Sequence, residues 1–188
     1  DSGLPMYLID NLGWFSHARR CPSDNFNPRP DSNDISLLVI HNISLPPGQF
    51  GTGCVQAFFC NELDCYSHPQ LEELTGVQVS AHLFIDRNGD CFQFVSLLDR
   101  AWHAGVSCFD GRENCNDFSI GIELEGEDLR PYTDAQYREL AAVTQAMLRR
   151  FPGLVPERIT GHSDIAPGRK TDPGPAFDWV YYKSLISI

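Results

Sequence analysis

The chain has 188 residues, of which 42% are hydrophobic and 21% charged, a length that suits one ordinary domain burying roughly two thirds of its unfolded surface around a single core. Its formal net charge of −11 excludes a nucleic-acid partner, because neutralising phosphates takes clustered Lys and Arg. The same charge disfavours docking onto an anionic membrane or polymer. A small diffusing substrate remains, with no obligate protein partner in evidence, and no apolar run approaches the ~20 residues that a membrane helix needs.

Residues 1–5 (DSGLP) carry neither the basic nor the apolar region of a secretion signal; they read as an added remnant before a native start at Met6, with 6–188 as the domain. Seven cysteines, Cys21, Cys54, Cys60, Cys65, Cys91, Cys108 and Cys115, make an odd set that reads as reduced thiols of a cytoplasmic protein. Cys54, Cys60 and Cys65 are a conceivable second metal group, although their spacing fits no zinc finger or ribbon.

Taken in chain order, Ile35 to Ile43 has the unbroken apolar character of a strand buried on both faces, with His41 near its C-terminal end. Val79 to Ile85 and Cys91 to Leu97 alternate around Asp86-Arg87-Asn88-Gly89-Asp90 and predict a hairpin. Ser119 to Glu125 predicts a half-buried strand, with Ile120, Ile122 and Leu124 on one face and Glu123 and Glu125 on the other. Thr133 to Gln136 fits a capping box, and Tyr137, Leu140, Val143, Thr144, Met147, Leu148 and Phe151 recur at helical spacing before Pro152. A short strand at Arg158 to His162, an irregular Pro/Gly segment and a last helix from Phe177 to Ile186 follow. The intermixing predicts an α/β single domain, a central mixed β-sheet flanked by α-helices.

The segment from Thr160 to Pro175 combines turn formers with ligand and acid/base residue types, as a loop holding side chains at a rim would. A catalytic zinc usually takes three protein ligands and leaves one place for water, so His162 and Asp172 require a third donor from elsewhere. His41, ending a buried strand, is suitable, but spacing alone does not choose among His41, His82 and His103.

Five segments in order, Val39 to Ser44 (VIHNIS), Val79 to His82 (VSAH), Ala101 to Gly105 (AWHAG), Asn116 to Gly126 (NDFSIGIELEG) and Thr160 to Pro175, resemble the type 2 N-acetylmuramoyl-L-alanine amidases, the family that includes peptidoglycan recognition proteins and phage lysozyme-type amidases. The resemblance runs from about Tyr7 to Trp179 and points to the cytoplasmic, wall-recycling members. It implies one Zn2+ held by His41, His162 and Asp172, with Glu123 and Lys170 as the catalytic groups beside it. The expected reaction is hydrolysis of the amide between (1,6-anhydro-)N-acetylmuramic acid and L-alanine in soluble muropeptides. The alternatives are a non-catalytic peptidoglycan-binding module and an exported or phage-type amidase acting on intact wall.

The family pattern selects Glu123 over Glu125. His82 reads as a core residue that orients others, and Asn42, Trp102 and His103 are candidate substrate contacts. Gln78 and Asn114 stand where relatives tend to carry Arg, which leaves the grip on a substrate carboxylate open.

Overall fold

A computed structural model describes residues 3–187. In chain order the strands are β1 Arg19–Arg20, β2 Phe26–Pro28, β3 Leu37–Ile43, β4 Leu83–Ile85, β5 Cys91–Gln93, β6 Asp99–Ala101, β7 Cys108–Phe109, β8 Arg112–Glu113, β9 Ser119–Glu125 and β10 Ile159–Gly161. The helices are α1 Cys54–Phe59, α2 Asp134–Arg150, α3 His162–Ile165 and α4 Trp179–Ile186. Six strands form one sheet in the order β1-β5-β4-β9-β3-β10. It is mixed: β3 is parallel to both β9 and β10, β4 is parallel to β9, and β5 runs antiparallel to β4. This is the α/β architecture that the sequence predicts.

The register places His41 opposite Glu123 and Glu123 opposite Phe84. Neighbours across a sheet share a face, so His41 and Glu123 project together from the C-terminal ends of two adjacent parallel strands. The other face carries Leu38, Ile40, Ile120, Ile122 and Leu124, which pack against Leu140, Val143 and Met147 of α2. The expected half-burial of β9 is incorrect, because every residue from Ser119 to Glu125 is buried. The strand sits between β3 and β4 with both faces covered, and its carboxylates are accommodated individually.

α2 begins as expected. The Thr133 hydroxyl accepts from the Gln136 amide while the Gln136 side chain accepts from the Thr133 N–H, an arrangement whose loss costs about 1 kcal/mol. Thr144 is fully buried inside the apolar stripe because its hydroxyl bonds the Leu140 carbonyl and the Tyr182 hydroxyl. α4 starts two residues later than predicted, since Asp178 caps it by accepting from the Tyr181 N–H. Phe177 lies before the cap, among Tyr132, Tyr137 and Trp179.

The hairpin is present, with only three paired residues on each strand. Before it, the chain bonds elsewhere: Ser80 N–H to the Trp102 carbonyl and His82 N–H to Gly121. The sequence did not signal α1 or the 3-10 turn Pro69–Leu74, both too short to show a period. Their Val55, Phe58, Phe59 and Leu71 form a separate apolar cluster with Phe84 and Phe94.

All seven cysteines are free. The Cys60 thiol faces the Cys21 and Pro22 carbonyls and that of Cys65 faces Leu63. Among the described residues, Cys54, Cys60 and Cys65 do not form a converging donor group. Of the first five residues, Asp1 and Ser2 lie outside the described residues, whereas Leu4 packs on the core and the Gly3 carbonyl accepts from Arg138. No described helix is long and apolar enough to cross a membrane.

Candidate metal centre and catalytic cleft

An open cleft of about 1150 Å³ lies over the C-terminal ends of β3 and β9. His41 comes from β3 and Glu123 from β9, His162 opens α3 directly after β10, and Lys170 and Asp172 come from the loop that follows. That loop is tied down from several sides. Asn42 donates its amide to Asp128 and to the Tyr132 hydroxyl, Tyr132 in turn donates to the Pro173 carbonyl, and Thr171 donates to Asp128. Gly174 has φ +79°, and a Cβ there would lie 2.3 Å from the Asp128 Cα, so this contact requires glycine.

At the foot of the cleft His41 Nδ1 lies 3.0 Å from His162 Nδ1 and 3.1 Å from Asp172 Oδ2. His162 Nδ1 is 3.3 Å from the same carboxylate oxygen. The Nε2 of His162 sits 3.0 Å from the Ala104 carbonyl, which only accepts, so Nε2 carries the hydrogen and Nδ1 of the neutral ring presents a lone pair. Two ring nitrogens and a carboxylate oxygen aimed at one point need a proton or a cation between them. The three donor atoms lie within 4.8 Å of one another and could hold a metal ion, and this donor set, two imidazoles and one carboxylate, suits zinc.

The electrostatics are consistent with that use. Burial pushes the His41 imidazole down, and the nearby Asp172 only partly offsets it. Burial alone would raise the Asp172 carboxyl, but the adjacent His162 and His41 imidazoles hold it well below the usual carboxylate range. Glu123 Oε1 is 3.8 Å from His41 Nδ1. Burial and the adjacent Asp172 charge push the Glu123 carboxyl well above its ordinary value, opposed by the Lys170 ammonium in the same cleft. Glu125 is different: its two carboxylate oxygens accept from the backbone N–H groups of Arg87 and Gly51. It fixes two loops and has no part in the cleft.

The other histidines are also accounted for. His103 lines the cleft, but its ring nitrogens are taken up by His41 and by Ser119. His82 is fully buried, accepts from the Gly121 N–H at Nδ1 and donates from Nε2 to the Asp99 carbonyl. Burial and the Arg29 guanidinium push it down to about 3. The folded protein therefore holds His82 neutral, and below pH ~6.5 the unfolded chain takes up a proton that the fold refuses. Stability should fall by up to about 1.4 kcal/mol per pH unit between pH ~6.5 and ~3, with no contribution above that window. Urea unfolding at pH 7, 6 and 5 should show His82→Gln losing less stability than the parent; equal slopes would refute this account.

Asn42 has both amide hydrogens engaged within the protein, leaving only its oxygen for a ligand. Trp102 lines the cleft with its indole N–H bonded to Asn27. Gln78 and Asn114 are exposed and do not line the cleft. Basic groups reach it instead from Arg130 and Arg169, neither of which the sequence singled out, because a lone Arg in a loop has no pattern. A second donor group, His17, Cys91 and Glu139, lies elsewhere. There the imidazole is 2.7 Å from Glu139 and stacks on Tyr7, whose hydroxyl bonds the same carboxylate, so ring and carboxylate already satisfy each other.

The sequence model for N-acetylmuramoyl-L-alanine amidase matches residues 31–175, and the chain belongs to this family of amide hydrolases. It is 53% identical to the 1,6-anhydro-N-acetylmuramyl-L-alanine amidase AmpD of Citrobacter freundii, over 96% of this chain and 95% of that one. It is 54% identical to the AmpD of Escherichia coli K12, over 96% and 98%. A crystal structure of selenomethionine AmpD superposes with a TM-score of 0.93 at 53% identity, covering 96% of this chain and 99% of that one. The E. coli amidase AmiD, solved with anhydro-N-acetylmuramic acid-L-Ala-D-γ-Glu-L-Lys, matches at a TM-score of 0.60 and 29% identity, over 94% and 65%.

Proposed function

We propose that this chain is a zinc-dependent amidase that cuts soluble anhydro-muropeptides between the lactyl carbonyl of the muramic acid and the L-alanine nitrogen. The convergence of His41 Nδ1, His162 Nδ1 and Asp172 Oδ2 at the foot of the cleft carries this reading, and we take these three as the ligands. We assign the catalytic domain to residues 6–188 and place the protein in the cytoplasm, as a wall-recycling enzyme. The seven free thiols and the substrate named for its relatives support that address.

When bound, zinc would bring the pKa of a coordinated water toward neutrality and polarise a carbonyl. Glu123, buried and raised above its ordinary value, accepts the proton of the attacking water and returns it to the leaving alanine nitrogen, the work of a general base and acid held in the cleft. Lys170, which lines the same cleft, is the cation we assign to the negative charge that grows on the carbonyl oxygen. Trp102 offers an apolar wall, with Phe58, Phe59 and Val79 beyond it, while Arg130 and Arg169 are the cations available to acidic groups of the stem peptide.

Initial rates on equal molar amounts of anhydro-muropeptide, the corresponding reducing muropeptide and purified sacculi, with products identified by mass, test this reading. The anhydro-muropeptide should be cut fastest and sacculi slowest, with free anhydro-muramic acid and intact stem peptide as products. Equal or faster release from sacculi would defeat the recycling role, and cleavage inside the stem would defeat the amidase assignment to this bond.

A further inference from the structure

A metal-binding imidazole normally donates its other ring N–H to a fixed acceptor, which sets its tautomer and aim, and losing that partner typically costs about 10–100-fold in metal affinity. For His162 the acceptor is the Ala104 carbonyl, 3.0 Å from Nε2. For His41 it is the adjacent residue: His41 Nε2 lies 2.9 Å from His103 Nδ1. The rings of His41 and His103 are perpendicular, with centroids 5.0 Å apart, so the nitrogen lone pair of one lies along the N–H of the other.

His103 Nε2 then lies 3.0 Å from Ser119 Oγ, at the start of β9, and that oxygen can accept its hydrogen. The ring fits only because residue 121 is glycine, where a Cβ would come within 2.4 Å of it. The backbone beneath is also fixed. The Asn116 side-chain oxygen accepts from the N–H groups of both His103 and Ala104, at 3.1 and 2.8 Å. Arg29, itself buried, donates to the Asn116 carbonyl.

We infer that Asn116, acting through His103 and Ala104, is a positioning clip that sets the tautomer and aim of both histidines at the metal centre. His103 is thereby a positioning residue and not a contact of the substrate. This rests on the ligand assignment above. One two-residue segment supplies both acceptors, and one side chain holds that segment in place. With Nδ1 of His41 turned to the ion, Nε2 must carry hydrogen, His103 must accept at Nδ1, and Ser119 must take the hydrogen of His103 Nε2.

Zinc affinity, measured by competition with a chromophoric chelator, tests the inference without reference to turnover. His103→Phe fills the space and removes the acceptor, and should weaken zinc binding about 10–100-fold; His103→Gln, which restores an acceptor oxygen, should recover most of the loss. Asn116→Ala should weaken binding and Asn116→Asp, which keeps the oxygen, should recover it. In zinc-loaded protein labelled with 15N-histidine, the slowly exchanging Nε2–H signals of His41 and His162 should both be visible. His103→Phe should remove only that of His41. Parental zinc affinity in His103→Phe and Asn116→Ala, or a His41 Nε2–H signal that survives His103→Phe, overturns the inference. His162→Ala serves as the control, since its retention of zinc would instead defeat the ligand assignment.

Discussion

Metal-free protein, stripped with a chelator and verified by metal analysis, should have no measurable amidase activity, and stoichiometric zinc should restore it. The reason is geometric: with His41, His162 and Asp172 turned to one point, the loss of the ion removes both the activation of water and the polarisation of the carbonyl, each amounting to several kcal/mol of transition-state stabilisation. Zinc held at this site should also raise thermal stability, by up to about 4 kcal/mol at a free concentration a thousand times its dissociation constant, less whatever zinc the cysteines and histidines of the unfolded chain take up. His162→Ala should lose both responses together. Full activity in a verified metal-free sample would refute the assignment.

Glu123→Gln should keep its zinc and lose turnover. The carboxyl is close to the same point, 3.8 Å from His41 Nδ1, but the assigned ligands complete the site without it. Glutamine preserves shape and burial while removing the basic oxygen, and general-base catalysis typically contributes about 10²–10⁴-fold. The fall should appear in kcat with little change in KM, as expected for an interaction made in the transition state. Zinc content falling in step with activity would place Glu123 among the ligands. Glu125→Gln offers the contrast, because Glu125 accepts from Gly51 and Arg87; its replacement should cost stability and leave the chemistry in place.

What was legible in the sequence is what local pattern can encode. The uninterrupted apolar run of β3, the Thr133–Gln136 box and the stripe of α2 all stand where their periods put them. β9 reads as half-exposed because Glu123 and Glu125 look like a solvent-facing edge. One carboxylate is buried facing a cleft and the other is buried on two amide hydrogens, and neither condition leaves a mark on the sequence. The choice among His41, His82 and His103 was undecidable from spacing for a related reason. His82 and His103 are both built close to the site, with ring centroids 6.0 Å apart, and His103 bonds His41 itself. What separates a ligand from its support is the direction of one nitrogen, which only the resemblance to a known family could supply. α1 and the Pro69–Leu74 turn carry no signal, being only six residues each and dependent for their form on the apolar cluster they complete.

His41 and Glu123 are partners in one ladder of the sheet, so the spacing between the proposed metal ligand and the proposed acid–base group is set by main-chain hydrogen bonding and not by a loop. One part of the cleft wall, in contrast, is drawn from the segments around α1 and the Pro69–Leu74 turn, where Pro47, Phe58, Phe59, Leu74 and Val77 line it. That part of the wall can therefore vary without moving the paired strands. Exchanges at Pro47, Leu74 or Val77, which line this side, can reshape what enters the cleft while the His41–Glu123 register stays unchanged, which makes these positions the natural place to graft a new substrate range.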